Sequence, residues 1–152
     1  MSYLLIFVLV SHIILGVLGA AFLVAYLLAF SKNRDDSGYL TRMSFFAFIA
    51  FTASWIFSGY YYVTYYGKAV KPIILKAEFS WAHTVLMESK EHIFLFLPFL
   101  SLALFAVTMV FRREFSENKK LSFSVVSLCF TTVSIALLVT IFGMVVSGAV
   151  AK

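Results

Sequence analysis

His12 is the ionisable side chain that lies deepest in an apolar run near the start of the chain. An imidazole about one third of the way into a membrane helix is costly in hydrocarbon, so it should face a helix interface or a cavity. Gly16 and Gly19 fall on the same helical face as His12. Glycines at these positions either make room for a flat cofactor or allow close helix packing.

His92 lies near the outer end of a later apolar run. Glu88 is one helical turn earlier, and its carboxylate is suited to fix the tautomer of a metal-bound imidazole. The alternative is an ordinary i,i+4 interaction at a membrane–water boundary. Helical spacing predicts that His92 shares a face with Trp81, Val85, Glu88, Phe96 and Phe99.

His83 belongs to a polar stripe with Lys76, Ser80 and Lys90, which favours a solvated histidine. A weaker hypothesis joins His83, Glu88, Glu91 and His92 in a metal site. The Glu-x-x-His spacing of di-iron bundles is absent, because Ser89 stands three residues before His92. His83 and His92 also fall near opposite faces of one helix, so a metal site there needs ligands from elsewhere.

The composition requires lipid as the solvent for most of the chain. Of the 152 residues, 62% are hydrophobic and 12% are charged, whereas soluble domains are about half apolar and about a quarter charged. The net charge of +5 does not indicate a nucleic-acid partner, because the basic residues sit at helix ends and in loops. Cys129 has no second cysteine with which to form an internal disulfide, and it is interpreted as a small apolar side chain.

Four apolar runs predict an all-α integral membrane protein, a single up-and-down bundle with spans at about 3–30, 43–66, 91–111 and 121–150. An amphipathic segment at about 72–90 precedes the third span, with a largely apolar stripe at helical spacing that begins at Ile74 and ends at the charged Glu88. It is either a helix on the membrane surface or an aqueous extension of that span. Clustered tyrosines between Tyr60 and Tyr66 are typical of an interfacial belt, and Pro98 predicts a kink.

The distribution of Lys and Arg predicts the orientation of the spans. The first and third loops hold seven basic residues close to the spans (Lys32, Arg34, Arg42, Arg112, Arg113, Lys119 and Lys120). The opposite side holds five (Lys68, Lys71, Lys76, Lys90 and Lys152). The positive-inside rule then places both termini outside the plasma (inner) membrane.

This orientation puts His12 and His92 in the same outer half of the bilayer, on different helices. Two imidazoles that face each other across a bundle can bind one haem iron from both sides, which predicts a haem b between the first and third spans. Trp55, Ser58 and Gly59 lie near the same level and are expected to line the haem plane or bond a propionate. The outer lysines Lys68, Lys71, Lys76 and Lys90 are candidates to pair with propionates.

The pattern is similar in type to small four-helix membrane b-type cytochromes, and this resemblance rests on His12 with its glycines and on His92. The leading hypothesis is therefore electron transfer, with a quinone or quinol, an external redox protein or a larger membrane complex as partner. A second hypothesis is a non-catalytic membrane subunit that docks through the tyrosines and the amphipathic segment. A third is a small transporter or metal-handling protein that uses His83, Glu88, Glu91 and His92.

Overall fold

The computed structural model describes residues 2–34, 36–76 and 79–150, and all regular structure in these ranges is helical. Helix α1 spans Tyr3–Lys32 and begins where the Ser2 hydroxyl accepts a hydrogen bond from the Leu5 amide. Helix α2 spans Ser37–Tyr61, and the Asp36 carboxylate caps it by accepting from the Tyr39 amide at 3.2 Å. Caps of this kind satisfy amides that have no partner within the helix.

Two stretches of wider, π-helical winding lie toward one end of the molecule. The first π segment, Tyr62–Val70, continues α2 directly into the short helix α3, Lys71–Lys76. The second π segment, Ala82–Met87, leads directly into α4, Glu88–Phe94. Helix α5 covers Phe96–Phe111 and α6 covers Lys119–Val150. The i→i+5 winding of a π-helix changes which side chains share a face, and such turns are frequent at functional sites.

Four helical stretches are long and apolar enough to cross a membrane: Tyr3–Lys32, Gly38–Lys76, Ala82–Phe111 and Lys119–Gly148. The prediction of an all-helical chain with four such helices is confirmed. The second and third stretches are longer than predicted, because the segment at 72–90 is not one helix. Phe79 and Ser80 form a turn between them, and positions 77 and 78 of that segment, like Lys152, lie outside the described residues.

The helices pack in chain order, and the last returns to the first. Helix α1 contacts α2, α2 contacts α5, α5 contacts α6, and α6 contacts α1. The second π segment and α4 also pack against α6. A buried hydrogen bond of 2.9 Å joins the hydroxyls of Tyr26 on α1 and Thr108 on α5. Large apolar side chains are exposed around the outside, for example Phe7, Ile56, Phe99 and Phe130, which is compatible with helices apolar enough to cross a membrane.

The third long helix is interrupted at Leu95, between α4 and α5. Pro98 lies one turn further on and has no N–H to donate to the carbonyl of Phe94, which removes one bond of the helical ladder. The interruption separates α4, which carries Lys90 and His92, from the apolar helix α5.

Candidate functional site

Two neighbouring cavities lie between the helices, toward the end that contains the π segments. The first, which we call the His12 cavity, has a volume of about 360 Å³ and is walled by α1, α2, α4, α5 and α6. The second, the tyrosine cavity, has a volume of about 320 Å³. The two cavities share the wall residues Leu9, His12, Lys90, Gly143 and Ser147. Each volume lies within the range of about 300–1,000 Å³ that is usual for small-molecule sites.

The tautomer of His12 is fixed by Ser54 on the neighbouring helix α2. The Nδ1 atom of His12 lies 3.1 Å from the Ser54 carbonyl oxygen and 2.9 Å from its Oγ. The Ser54 hydroxyl donates its own proton to the His12 carbonyl at 2.9 Å. A carbonyl oxygen only accepts, so Nδ1 must carry the imidazole proton, and Nε2 keeps an unprotonated lone pair. This is the arrangement that a metal-ligating histidine needs.

The ring of His12 is also held by an aromatic contact from α4. The Phe94 ring meets it edge-to-face, with centroids 5.5 Å apart and an interplanar angle of 81°. Gly16, one turn along α1, lines the same cavity. The imidazole is therefore oriented by two other helices, while the glycine leaves space beside it.

Lys90 on α4 brings a cationic side chain to the boundary between the two cavities. Its ammonium rests against α6, where a Cβ added at Gly143 would lie 3.1 Å from Nζ. Gly143 thus provides the space that the ammonium occupies. A lysine among helices apolar enough to cross a membrane points to a functional role, because its charge is costly in apolar surroundings.

The sequence did not predict that Lys90 lines a cavity. Its pattern placed this side chain on a solvated stripe or at the outer surface. Helical spacing groups Lys90 with apolar residues but does not show whether that group turns inward. Phe94 and Leu97 follow Lys90 at i+4 and i+7, and both are apolar, so one helical face joins the three residues. All three line the His12 cavity.

The tyrosine cavity takes its name from four neighbouring side chains of α2 and the first π segment. Tyr61, Tyr62, Tyr65 and Tyr66 line it, together with Ser58 and Met87. A purely interfacial belt is therefore not the whole role of these residues. Tyr60 matches that expectation better, because it is exposed and lines neither cavity.

His83 is buried, with only 1% of its surface exposed, so the expectation of a solvated histidine is wrong. The hydroxyl of Tyr66 lies 3.0 Å from its Nδ1. Its Nε2 atom and the Oε1 atom of Glu91 are both buried with no hydrogen-bond partner among the described residues. The polar stripe that predicted a solvated side chain assumed α-helical spacing, whereas His83 lies in the second π segment.

His92 is exposed and lines neither of the two cavities that His12 lines. Its Nδ1 donates to the main-chain carbonyl of Glu88 at 2.7 Å, rather than to the carboxylate. Trp81, Val85, Phe96 and Phe99, which helical spacing groups with His92, are exposed as well. His92 is two residues beyond Lys90, about half a turn around the helix. The face that meets His12 is instead the one that carries Lys90 and Phe94.

Of the remaining predicted residues, one lines a cavity, one lies at a close helix contact and two do neither. Ser58 lines the tyrosine cavity. Gly19 serves helix packing, because an added Cβ would lie 2.8 Å from the ring of Phe51. Trp55 is 42% exposed and lines neither cavity, and a Cβ added at Gly59 would meet no atom within 4 Å.

No cluster of three or more His, Cys, Asp or Glu side chains able to hold a metal ion occurs within the described ranges. The set of His83, Glu88, Glu91 and His92 therefore does not assemble as a metal site there. A haem needs only one or two axial ligands from the protein, since the porphyrin supplies the other four. His12 is the one of the three histidines that lines these two cavities, and it meets that smaller requirement.

No family model, curated protein or solved structure matches this chain. Its function must therefore be argued from the cavities and from the side chains around them.

Proposed function

We propose that the protein is an integral membrane protein of the plasma (inner) membrane, folded as an up-and-down bundle with both termini outside. Four apolar helices, packed in chain order with α6 returning to α1, support this proposal. The basic residues of the first and third loops support the orientation. In this frame the two cavities lie in the outer half of the bilayer.

We propose that the two cavities together bind a haem b for electron transfer, with His12 as its axial ligand. The observation that carries the proposal is the hydrogen bond from His12 Nδ1 to the Ser54 carbonyl, which leaves Nε2 free as a ligand. A haem is larger than either cavity alone, so it would extend through the wall residues that both share. Haem supplies one-electron chemistry, and the protein sets its potential through ligation and burial.

The other residues of the cavity wall suit the same ligand. The ammonium of Lys90 is a partner for a propionate carboxylate. Gly16 and Gly143 keep the walls free of side-chain bulk on α1 and α6. The exposed position of His92 favours a single protein ligand over the His12–His92 pair expected from the sequence.

An absorption spectrum of the protein, purified from cells with an ample haem supply, tests this proposal. We expect a Soret band with reduced α and β bands, which His12→Ala abolishes and His92→Ala retains. His92→Ala is the matched control, because it removes the same side chain from an exposed position. A colourless wild-type protein would overturn the haem assignment. Loss of haem in His92→Ala would support ligation by both His12 and His92.

A second candidate function is the binding of a quinone headgroup without haem. The tyrosine cavity favours it, because aromatic walls, the hydroxyls of Ser58 and Tyr62 and the ammonium of Lys90 surround one small space. Such donors suit the carbonyl oxygens of a planar ring. A colourless protein whose organic extract contains a stoichiometric quinone would support this candidate. A colourless protein without quinone would favour the non-catalytic subunit.

A further inference from the structure

A third cavity, of about 440 Å³, lies at the opposite end of the molecule from the histidines, between the end of α1 and the start of α6. We call it the α1–α6 cavity. Its walls divide into two chemical halves. The half nearer the middle of the helices is apolar and is formed by Leu27, Phe30, Phe123 and Val126. The half at the helix ends is polar and is formed by Ser31, Arg34, Lys119 and Ser122.

The position of Arg34 is set by an aromatic platform. Its guanidinium carbon lies 5.5 Å from the centroid of the Phe30 ring. Phe30 is itself buried, stacked on Tyr26 with centroids 6.0 Å apart and packed against Phe115 at 5.3 Å. A guanidinium over an aromatic face keeps its N–H groups available at its edge for an oxyanion.

Lys119 brings the second cation from the opposite wall, as the first residue of α6. The amino end of a helix carries partial positive charge, which adds to the attraction for an anion. Glu114 and Glu117, which precede α6 in the chain, line a different cavity that Lys119 also borders. Among the described residues, those that line the α1–α6 cavity include two cations and no acid.

We propose that the α1–α6 cavity binds an anionic glycerophospholipid, with its phosphate between Arg34 and Lys119 and an acyl chain along Phe123. Basic pockets between membrane helices are suited to anionic headgroups. The apolar half decides between a lipid and a free phosphate, because Phe123 is 74% exposed and a phosphate ion would leave it uncovered. The inference does not depend on haem or quinone, since none of the residues that line the α1–α6 cavity lines the His12 cavity or the tyrosine cavity.

Binding of phosphatidylglycerol and phosphatidylcholine to the purified protein, measured by native mass spectrometry, tests the site. We expect the wild type to retain phosphatidylglycerol preferentially. Arg34→Gln and Lys119→Gln should each weaken binding about fivefold, the attraction expected for one basic residue near a headgroup. Arg113→Gln is the matched control, because it removes the same charge from the same end of the molecule without touching the cavity.

Phe123→Asn separates a lipid from a bare phosphate. The change should weaken phosphatidylglycerol and leave any weak binding of inorganic phosphate unaltered. Equal losses in Arg113→Gln and Arg34→Gln would overturn the proposal in favour of a diffuse surface charge. Inorganic phosphate that competes fully with the lipid would overturn it too. Thermal unfolding in phosphatidylcholine should be unchanged in all four variants, because Arg34, Arg113, Lys119 and Phe123 are exposed.

Discussion

The side chains of His12 and Ser54 exchange hydrogen bonds in both directions between α1 and α2. The imidazole Nδ1–H donates toward the Ser54 carbonyl and hydroxyl oxygens at 3.1 and 2.9 Å, and the hydroxyl donates to the His12 carbonyl at 2.9 Å. One serine therefore joins two helices and determines which nitrogen of the imidazole carries no proton. The orientation of the candidate ligand and the packing of the bundle depend on the same contact.

Ser54→Ala should lower the free energy of unfolding by about 1 kcal/mol, within the range measured for hydrogen bonds between membrane helices. It should also weaken haem binding, because only the carbonyl of residue 54 would remain to orient the ring. Unfolding in mixed micelles and haem titration measure the two effects. Ser124→Ala is the control, since its exposed hydroxyl donates to the Lys120 carbonyl of its own helix. Equal effects in both variants would contradict the prediction.

Gly19→Ala should destabilise the contact between α1 and α2 by about 1–3 kcal/mol, the usual effect of overpacking. The added Cβ would lie 2.8–3.0 Å from three atoms of the Phe51 ring. Gly59→Ala, with no atom within 4 Å of its Cβ, should be neutral or stabilising by up to about 1 kcal/mol through helix propensity. Thermal unfolding of the two variants compares them directly. Recovery of stability in the double variant with Phe51→Leu would identify the ring as the cause.

The hydrogen bond between Tyr26 and Thr108 should contribute a coupling energy of about 0.6 kcal/mol, and at most about 1.7, as for other such pairs in membrane proteins. Both side chains are buried, and the bond of 2.9 Å joins the first and third long helices. A double-mutant cycle of Tyr26→Phe and Thr108→Val measures it. Strictly additive effects of the two changes would show that the bond makes no contribution.

Lys90→Met should keep or raise the melting temperature while weakening binding of the proposed ligand. The substitution removes a charge from an apolar surrounding and retains a flexible side chain of similar length. Lys76→Met, at an exposed position of α3, is the control and should alter neither property. A large loss of stability in Lys90→Met would show instead that the ammonium is a structural element of the bundle.

Labelling with a membrane-impermeant maleimide tests the proposed orientation. In a Cys129→Ser background, Lys68→Cys should react in intact cells, and Glu117→Cys should react only after the membrane is opened. Both native side chains are exposed, so access depends on the side of the membrane. The reverse labelling pattern would place both termini inside.

The four long helices follow from the sequence because each apolar run exceeds the thickness of a bilayer. The face that each helix turns inward does not follow from it. In a soluble protein, hydrophobicity marks the inner face, but lipid is as apolar as the core, and both faces of α5 are apolar. Helical spacing therefore gave no information on whether His92 points toward His12 or away from it.

Helical spacing is also insufficient to predict the surroundings of single glycines and histidines. Gly16 and Gly19 are equivalent by spacing, but one lines a cavity and the other receives the ring of Phe51. Which of the two uses applies depends on a side chain of another helix. His83 was misplaced for a different reason, because the sequence carries no signal for the π-helical winding that surrounds it.

The two π segments each hold an extra residue without shifting the faces of the helix that follows. A π turn holds one more residue than an α turn, so losing one residue there can restore α-helical winding. Residue i+5 of the wide turn would then take the place of residue i+4, and a single deletion within Ala82–Met87 would leave Lys90 and Phe94 turned toward His12. A single deletion between Glu88 and Lys90, where the winding is α-helical, would instead rotate both residues by about 100°. The cationic wall of the cavity thus tolerates a change of chain length in the π segment and not in α4.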